Sequence, residues 1–474
     1  MVEISELYNA LYMVTENLIN SLKHDDYHER HNHLIEAKTK SFVLDKQGEW
    51  TIGEVTDEHL APHVRDYYTD HILSMDDETC NLFDIHETWN LFDILLAKGF
   101  IKQPAFVDSE GNPPVDDPSK RNIIFSGCLH GGVFSFIEKY LMRIPTLDFD
   151  PEIFDQCYSD FERYHLSDEI QFISVIPLLN FSSDVDLIEF DDDVKIVRLE
   201  HGELSRLGAY MLKMFMRDPN LEDLGTVESI FASGFAIKIA LSLRKDESIS
   251  LSIAEEKARS ILTALRLLKS GRVFRNITFT EPAGFCPNIG LMSIYTHPLL
   301  PVQLGGESLH LSAEECKVCK DVWQNLQCLS HQKDQGKLDV GIRKFNDIYD
   351  RRFLEDKIID MSILLESTLL YGDDKELGYR LSLRGAHLLK SNRDTERTFK
   401  LLKKFYDLRS KIVHNGERLN PPVSIGEMQF RPDEFVAEME AVCREVLRTF
   451  IEKVAGGVSI SQVNADLDTE SLRQ

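Results

Sequence analysis

Two side chains five residues apart, Arg409 and His414, are of types that bind an anion and move a proton. A guanidinium is a permanent cation whose planar donors match a phosphate, and an imidazole takes up or releases a proton near neutral pH. The arginine calls for an acceptor, a carboxylate or a phosphate, and the histidine can serve as a proton donor or acceptor. Ser410, Lys411 and Asn415 add a hydroxyl, an ammonium and an amide to the same stretch, Tyr406-Asp-Leu-Arg-Ser-Lys-Ile-Val-His-Asn-Gly416.

Other constellations carry less. His24 and His28 stand four apart, as do His59 and His63, the spacing that puts two rings on one helix face. The first pair sits in a solvated run with Asp25, Asp26, Glu29 and Arg30, and Pro62 interrupts the second. Cys316 and Cys319 are the one close pair among eight cysteines. Lacking a second pair at zinc spacing, they read as two buried thiols one helical turn apart. Cys128 and His130, in Phe125–Val133, read as part of a buried strand ending in a glycine turn, because a thiol and its base two residues apart on a strand meet poorly. No phosphate-binding loop or dinucleotide fingerprint occurs, so neither a metal nor a cofactor is expected.

The element that positions Arg409 and His414 is a helix over about residues 394–413, stopped by Asn415-Gly416, both of which tolerate the left-handed conformation of a helix end. Steps of three and four resolve its faces. Leu401, Phe405, Leu408 and Ile412 form one apolar stripe, and Phe399, Leu402, Tyr406, Arg409 and Val413 a second beside it. Lys400, Lys404, Asp407, Lys411 and His414 form a polar, mainly basic stripe. An arginine set into an apolar stripe must find an acceptor, since an unpaired buried charge is costly. Glu366, among Leu364, Leu365, Leu369 and Leu370, is the internal candidate, and a phosphate is the external one. Arg380, Arg384 and His387 make a second basic stripe, which either binds RNA or pairs with Asp356, Glu366 or Glu376. Lys404 joins Arg380 and Arg384 as a candidate RNA contact.

Charge singles out the same region. The chain carries a net charge of −26, yet residues 341–420 hold 17 Lys+Arg against 13 Asp+Glu, while residues 1–340 hold 31 against 56. A basic island in an acidic protein fits a local contact with an anion and excludes nonspecific binding of nucleic acid by the whole surface. Hydrophobic content of 43% and 28% charged residues describe a globular chain. The first residues lack a basic-then-apolar secretory pattern, and no apolar run reaches the roughly 18–20 residues of a membrane span, so a cytoplasmic protein is expected.

Along the chain, residues 1–118 read as mainly helical, ending in the proline-rich loop 108–120. Residues 119–305 read as an α+β domain: Ile170–Phe181, Val194–Leu199, Phe235–Leu243 and Val273–Phe279 have strand character, with a helix over Ala254–Lys269. Residues 306–454 read as an all-α bundle and 455–474 as a frayed, disordered tail.

Arg409 and His414 match the Arg-x4-His signature of HEPN ribonucleases, and the wider segment resembles the Apea-like HEPN group of prokaryotic defence systems. Three further stretches carry the resemblance in order: Arg352-Phe-Leu-Glu-Asp-Lys-Ile-Ile-Asp360, Leu364-Leu-Glu-Ser-Thr-Leu-Leu370 and Glu376-Leu-Gly-Tyr-Arg-Leu-Ser-Leu-Arg-Gly-Ala-His-Leu-Leu389. It covers residues 340–450 only. It implies a HEPN helical bundle that dimerises and cuts RNA without a metal, the ribose 2′-hydroxyl attacking the adjacent phosphate. His414 would then be the general acid or base and Arg409 the phosphate-holding cation. Ser410 departs from the Asn, Asp or His that many active members carry after the arginine. Residues five apart on a helix differ by ~140° in direction and ~7.5 Å in rise, so a site pooling both residues needs two copies across a dyad. The expectation is a homodimeric endoribonuclease of antiviral defence behind an acidic sensor region whose trigger the sequence does not name. The alternative is a non-catalytic HEPN module that binds RNA, a nucleotide or a partner protein.

Overall fold

The computed structural model describes residues 4–24, 38–44, 50–56, 85–100, 132–141, 143, 148–199, 234–244, 251–275, 277–283, 293–296, 307–329, 335–370, 375–419 and 421–471. His28, His31, His33, His59 and His63, the loop 108–120 and Cys128 with His130 lie outside them. Gly132, at the end of the expected glycine turn, takes φ +79° immediately before a helix, a conformation that glycine adopts freely.

Helices α1 (Ser5–His24), α2 (Ile85–Ala97), α3 (Val133–Leu141) and α4 (Pro151–Leu166) enclose one core, in which Leu7, Leu11, Leu95, Phe136, Tyr140, Phe154 and Phe161 are fully buried. Helix α4 starts where Asp150 accepts the amide of Ile153 and Pro151 presets the first turn. The chain start is tied to α4: the Ile4 amide donates to the buried Glu162 carboxylate at 2.7 Å and the Tyr158 hydroxyl to the Ile4 carbonyl at 2.9 Å. Between α1 and α2 lies an antiparallel hairpin, β1 (Lys38–Leu44) with β2 (Trp50–Thr56), which the helical reading of this region did not anticipate.

The second core begins with the sheet. β3 (Glu169–Leu178), β5 (Leu187–Glu189), β6 (Val194–Arg198), β7 (Phe235–Arg244), β8 (Ile277–Pro282) and β9 (Ser293–Thr296) make an antiparallel sheet in the order β5-β6-β7-β3-β8-β9. Helix α5 (Leu251–Leu268) packs on it, and Ile237, Ile239, Leu241 and Leu243 of β7 are buried, as their alternation requires. A short parallel pair, β4 (Phe181–Ser183) with β10 (Leu309–Leu311), leads into the helices. These are α6 (Ala313–Leu329), α7 (Gln335–Asp350), α8 (Leu354–Leu369), α9 (Leu377–Leu388), α10 (Thr395–Asn415), α11 (Pro432–Ala455) and α12 (Ile460–Ser471), with a hairpin of β11 (Val423–Ile425) and β12 (Met428–Phe430) before α11. The molecule is therefore an α+β region with an antiparallel sheet followed by a helical carboxyl-terminal region.

Sheet and helices share one hydrophobic cluster, running from Phe172 to Leu467. A buried polar seam joins them. Arg266 of α5 donates to Asn346 Oδ1 at 2.8 Å and the Val273 carbonyl at 3.0 Å, and lies 4.3 Å over the Tyr349 ring. Arg444 of α11 in turn donates to the Arg266 carbonyl at 2.8 Å and the Tyr349 hydroxyl at 3.2 Å. These bonds satisfy most of the seam's buried donors, leaving Arg266 Nε without a hydrogen-bond partner.

Two expectations change. The core boundary falls between α4 and β3 rather than near residue 118, because the apolar faces of α3 and α4 bury against α1 and α2. A core boundary depends on which faces meet, which a run of prolines does not report. The tail is not frayed: α12 buries Ile460, Val463 and Leu467 against the bundle. Three aliphatics at this spacing on a 12-residue helix were too few to stand out among small polar neighbours. Among the described residues, no helix is long and apolar enough to cross a membrane.

Candidate functional site

Helix α10 is built as its sequence predicts, starting one residue and ending two residues further on. Asp394 caps it by accepting the Arg397 amide at 2.7 Å, and Gly416 closes it at φ +65°, its amide bonded to the carbonyls of Ile412 and Lys411. Leu401, Leu402, Phe405 and Ile412 are buried, which fixes the rotation of the helix and so the directions of Arg409 and His414. Its antiparallel neighbour α9 approaches closely because residue 385 is glycine: a Cβ there would lie 2.5 Å from Leu402 Cδ1.

Arg409 reaches α8. Its Nε donates to Ser362 Oγ at 3.3 Å, its Nη2 lies 3.5 Å from Glu366 Oε1, and its Cζ stands 5.8 Å from the centre of the Tyr406 ring. Its side chain keeps 22% of its surface exposed. The internal acceptor anticipated from the apolar setting is thus Glu366, joined by two residues the sequence reading did not assign to the site, Ser362 and Tyr406. Both follow from helical spacing, Ser362 one turn before Glu366 and Tyr406 one turn before Arg409, but only a known pairing of α8 with α10 brings them together. Burial first, then the charge and hydrogen bonding of Glu366, push the Tyr406 phenol above its ordinary value.

His414 stands at the solvent-exposed end of α10, beside the exposed Val413 and Lys411, and makes no hydrogen bond or ion pair to a described residue. Ser410 is half-buried, Lys404 likewise, and the Asn415 amide donates to Glu417 at 3.1 Å. The chain brings Arg409, Glu366, Ser362 and Tyr406 together and leaves His414 apart from them, at the end of the helix.

The second basic stripe has a different fate. Arg384 is buried, and its guanidinium donates to both oxygens of Asp468 at 2.7 Å, to the Leu369 carbonyl at 2.6 Å and to Asn464 Oδ1 at 3.4 Å. Of the two roles expected for it, RNA contact or pairing within the bundle, the geometry shows pairing: it anchors α12 through Asp468, a partner none of the sequence alternatives contained. The half-buried Arg380 also acts on Asp468, whose carboxyl is held below the usual aspartate range first by the hydrogen bonds from Arg384. His387 is buried on the same helix. Cys316 and Cys319 are free thiols buried in α6, and desolvation pushes Cys319 up to about 12, the inert character expected of them.

Comparison of the chain with protein-family models, curated proteins and solved structures found no match.

Proposed function

We propose that the helical carboxyl-terminal region is a HEPN-type endoribonuclease that cuts RNA without a metal, by attack of a ribose 2′-hydroxyl on the adjacent phosphate. The 2′-oxygen forms its bond to phosphorus as the bond to the 5′-oxygen breaks, giving a 2′,3′-cyclic phosphate and a 5′-hydroxyl. His414 takes the 2′ proton or protonates the leaving oxygen, and Arg409 stabilises charge on the non-bridging oxygens. The supporting observation is the state of Arg409: held at a part-exposed position by contacts of 3.3 and 3.5 Å, with donors left over for a phosphate. Because His414 lies beyond reach of that pocket on the same helix, the reading includes a homodimer in which α10 of one protomer supplies the histidine to its partner. Cytoplasmic antiviral defence and a sensor role for residues 1–305 come with the reading by analogy to the family.

One observation favours a second reading, a non-catalytic module binding RNA, a nucleotide or a partner protein: within one protomer Arg409 and His414 do not converge, and Ser410 stands between them. One experiment decides. Total cellular RNA is incubated with EDTA and wild type, Arg409→Ala or His414→Ala, and product ends are identified. Cutting with cyclic-phosphate ends, reduced about 10²–10⁴-fold by either change, supports the nuclease. Binding of RNA by folded protein without cutting supports the module.

A further inference from the structure

The parallel pair β4 and β10 brings three polar side chains into line. Ser182 of β4 stands directly beside His310 of β10 in the register. Asp184 lies two residues after Ser182, the period that returns a side chain to the same face of a strand. The alternate residues Phe181, Ser183, Leu309 and Leu311 are buried, so Ser182, His310 and Asp184 occupy the outer face.

Two contacts connect them in order. Ser182 Oγ lies 3.0 Å from His310 Nδ1, and His310 Nε2 lies 3.2 Å from Asp184 Oδ1. A carboxylate only accepts, so Nε2 carries the ring proton. The lone pair of the neutral imidazole is then on Nδ1, and the serine hydroxyl donates to it. Hydroxyl, base and orienting carboxylate follow one another as nucleophilic catalysis requires.

The frame beneath them is fixed at both ends, by the Leu309 amide donating to the Asn180 carbonyl at 2.9 Å and the Asp184 amide to the Leu311 carbonyl at 3.0 Å. The chain after α5 braces β10 so closely that a Cβ on Gly271 would lie 2.9 Å from Leu309 Cα. His310 and Asp184 keep 51% and 54% of their side-chain surface, and Ser182 is only half-buried. The trio is therefore open to a substrate from solvent and to the water that must later remove an acyl group.

We infer that Ser182 is a nucleophile that accepts the acyl group of small carboxylic esters, with His310 as its base and Asp184 as the residue that positions the imidazole. Ser182 Oγ bonds to the ester carbonyl carbon while its proton passes to His310 Nδ1. The imidazolium returns that proton to the alcohol oxygen as the carbon–oxygen bond breaks, leaving an acyl-serine. A water, giving its proton to Nδ1, then attacks the acyl carbon, and the carboxylic acid departs as Ser182 regains its hydrogen. An ester suits the trio better than an amide, because its carbonyl is more electrophilic and its alcohol leaves more readily. This activity is separate from the proposed cleavage of RNA and uses none of its residues.

The test uses the full-length protein and two probes, an alkyl fluorophosphonate and p-nitrophenyl acetate. Peptide mass spectrometry follows the adduct at Ser182, and absorbance follows release of p-nitrophenol. Wild type is expected to form the phosphonyl adduct at Ser182 and to release p-nitrophenol above the rate in buffer, and Ser182→Ala to lose both. His310→Gln should slow modification of Ser182 about 10²–10⁴-fold. Asp184→Asn should slow it as well, because an amide can turn its NH2 to Nε2 and favour the wrong tautomer, while Asp184→Glu restores part of the rate. All four side-chain changes lie on the outer face, and unchanged thermal unfolding shows that each variant is folded. Absence of an adduct at Ser182 overturns the inference, as does modification of Ser182 at the wild-type rate in His310→Gln. A protein that cuts no RNA can still pass this test, and one that cuts RNA can fail it.

Discussion

Arg384 and Arg409 belong to the two antiparallel helices α9 and α10, and the bundle treats them in opposite ways. Arg384 meets a carboxylate with both arms at 2.7 Å and a carbonyl at 2.6 Å, and its side chain is 3% exposed. Arg409 has one hydroxyl at 3.3 Å, one carboxylate at 3.5 Å and 22% exposure. The distinction comes from what faces each helix. Opposite α9 the chain returns as α12 and brings Asp468 and Asn464 into contact. Opposite Arg409, α8 offers Ser362 at 3.3 Å and Glu366 at 3.5 Å. A guanidinium saturated by the fold stabilises it, and one left undersaturated is available to a ligand.

That contrast is testable, the largest effect first. Arg409→Ala and His414→Ala should lower RNA cleavage about 10²–10⁴-fold. The same two variants should keep unfolding free energies within about 1 kcal/mol of wild type by urea titration, since surface and loosely paired groups contribute little to stability. A large stability loss in Arg409→Ala would erase the contrast. Arg384→Ala should do the reverse: it strands Asp468 and the Leu369 carbonyl and destabilises by about 3–5 kcal/mol, reduced somewhat because Asp468 is 47% exposed. Cleavage per folded molecule should be unchanged, and a specific loss of activity would return Arg384 to the RNA-binding role.

Gly385→Ala should destabilise by about 1–3 kcal/mol, since its methyl meets Leu402 at 2.5 Å in a packed seam. An exposed helical glycine would instead gain from the same change, so a stabilised variant would mean that α9 and α10 pack more loosely than described. The smallest effect concerns pH. Asp468 has a folded pKa below its unfolded value of about 4, so its contribution is complete above that value and is lost as pH falls through the depressed folded pKa. Asp468→Asn should cost about 1 kcal/mol near neutrality, and the deficit should shrink in acid. A deficit constant down to pH 2 would show that the asparagine disturbs packing rather than charge.

Helix α10 was legible in outline, because its stop at Gly416 and most of its stripes are local properties of consecutive residues, although Val413, expected on the second apolar stripe, is exposed. Strand β7 was legible for the same reason: alternation over Phe235–Leu243 states which side is buried. At the site, the pairing of Arg409 with Glu366 could be read from residue type and setting. Ser362 and Tyr406 could not, since their part depends on how α8 lies against α10. Helix α12 was missed because its apolar residues are few and its neighbours are small and polar.

By itself the sequence determined that this chain has a region with strand-forming segments followed by a helical one, and roughly where several of its regular elements lie. Those properties depend on neighbours a few positions away. Only the tertiary structure decided that the sheet shares its core with the helices, that α3 and α4 belong with α1, and that Arg384 is bound up while Arg409 is not. Asp468 stands 84 residues from Arg384 along the chain. No periodicity reports such a contact, because it is set by the burial of faces distant in sequence and by the geometry with which those faces meet.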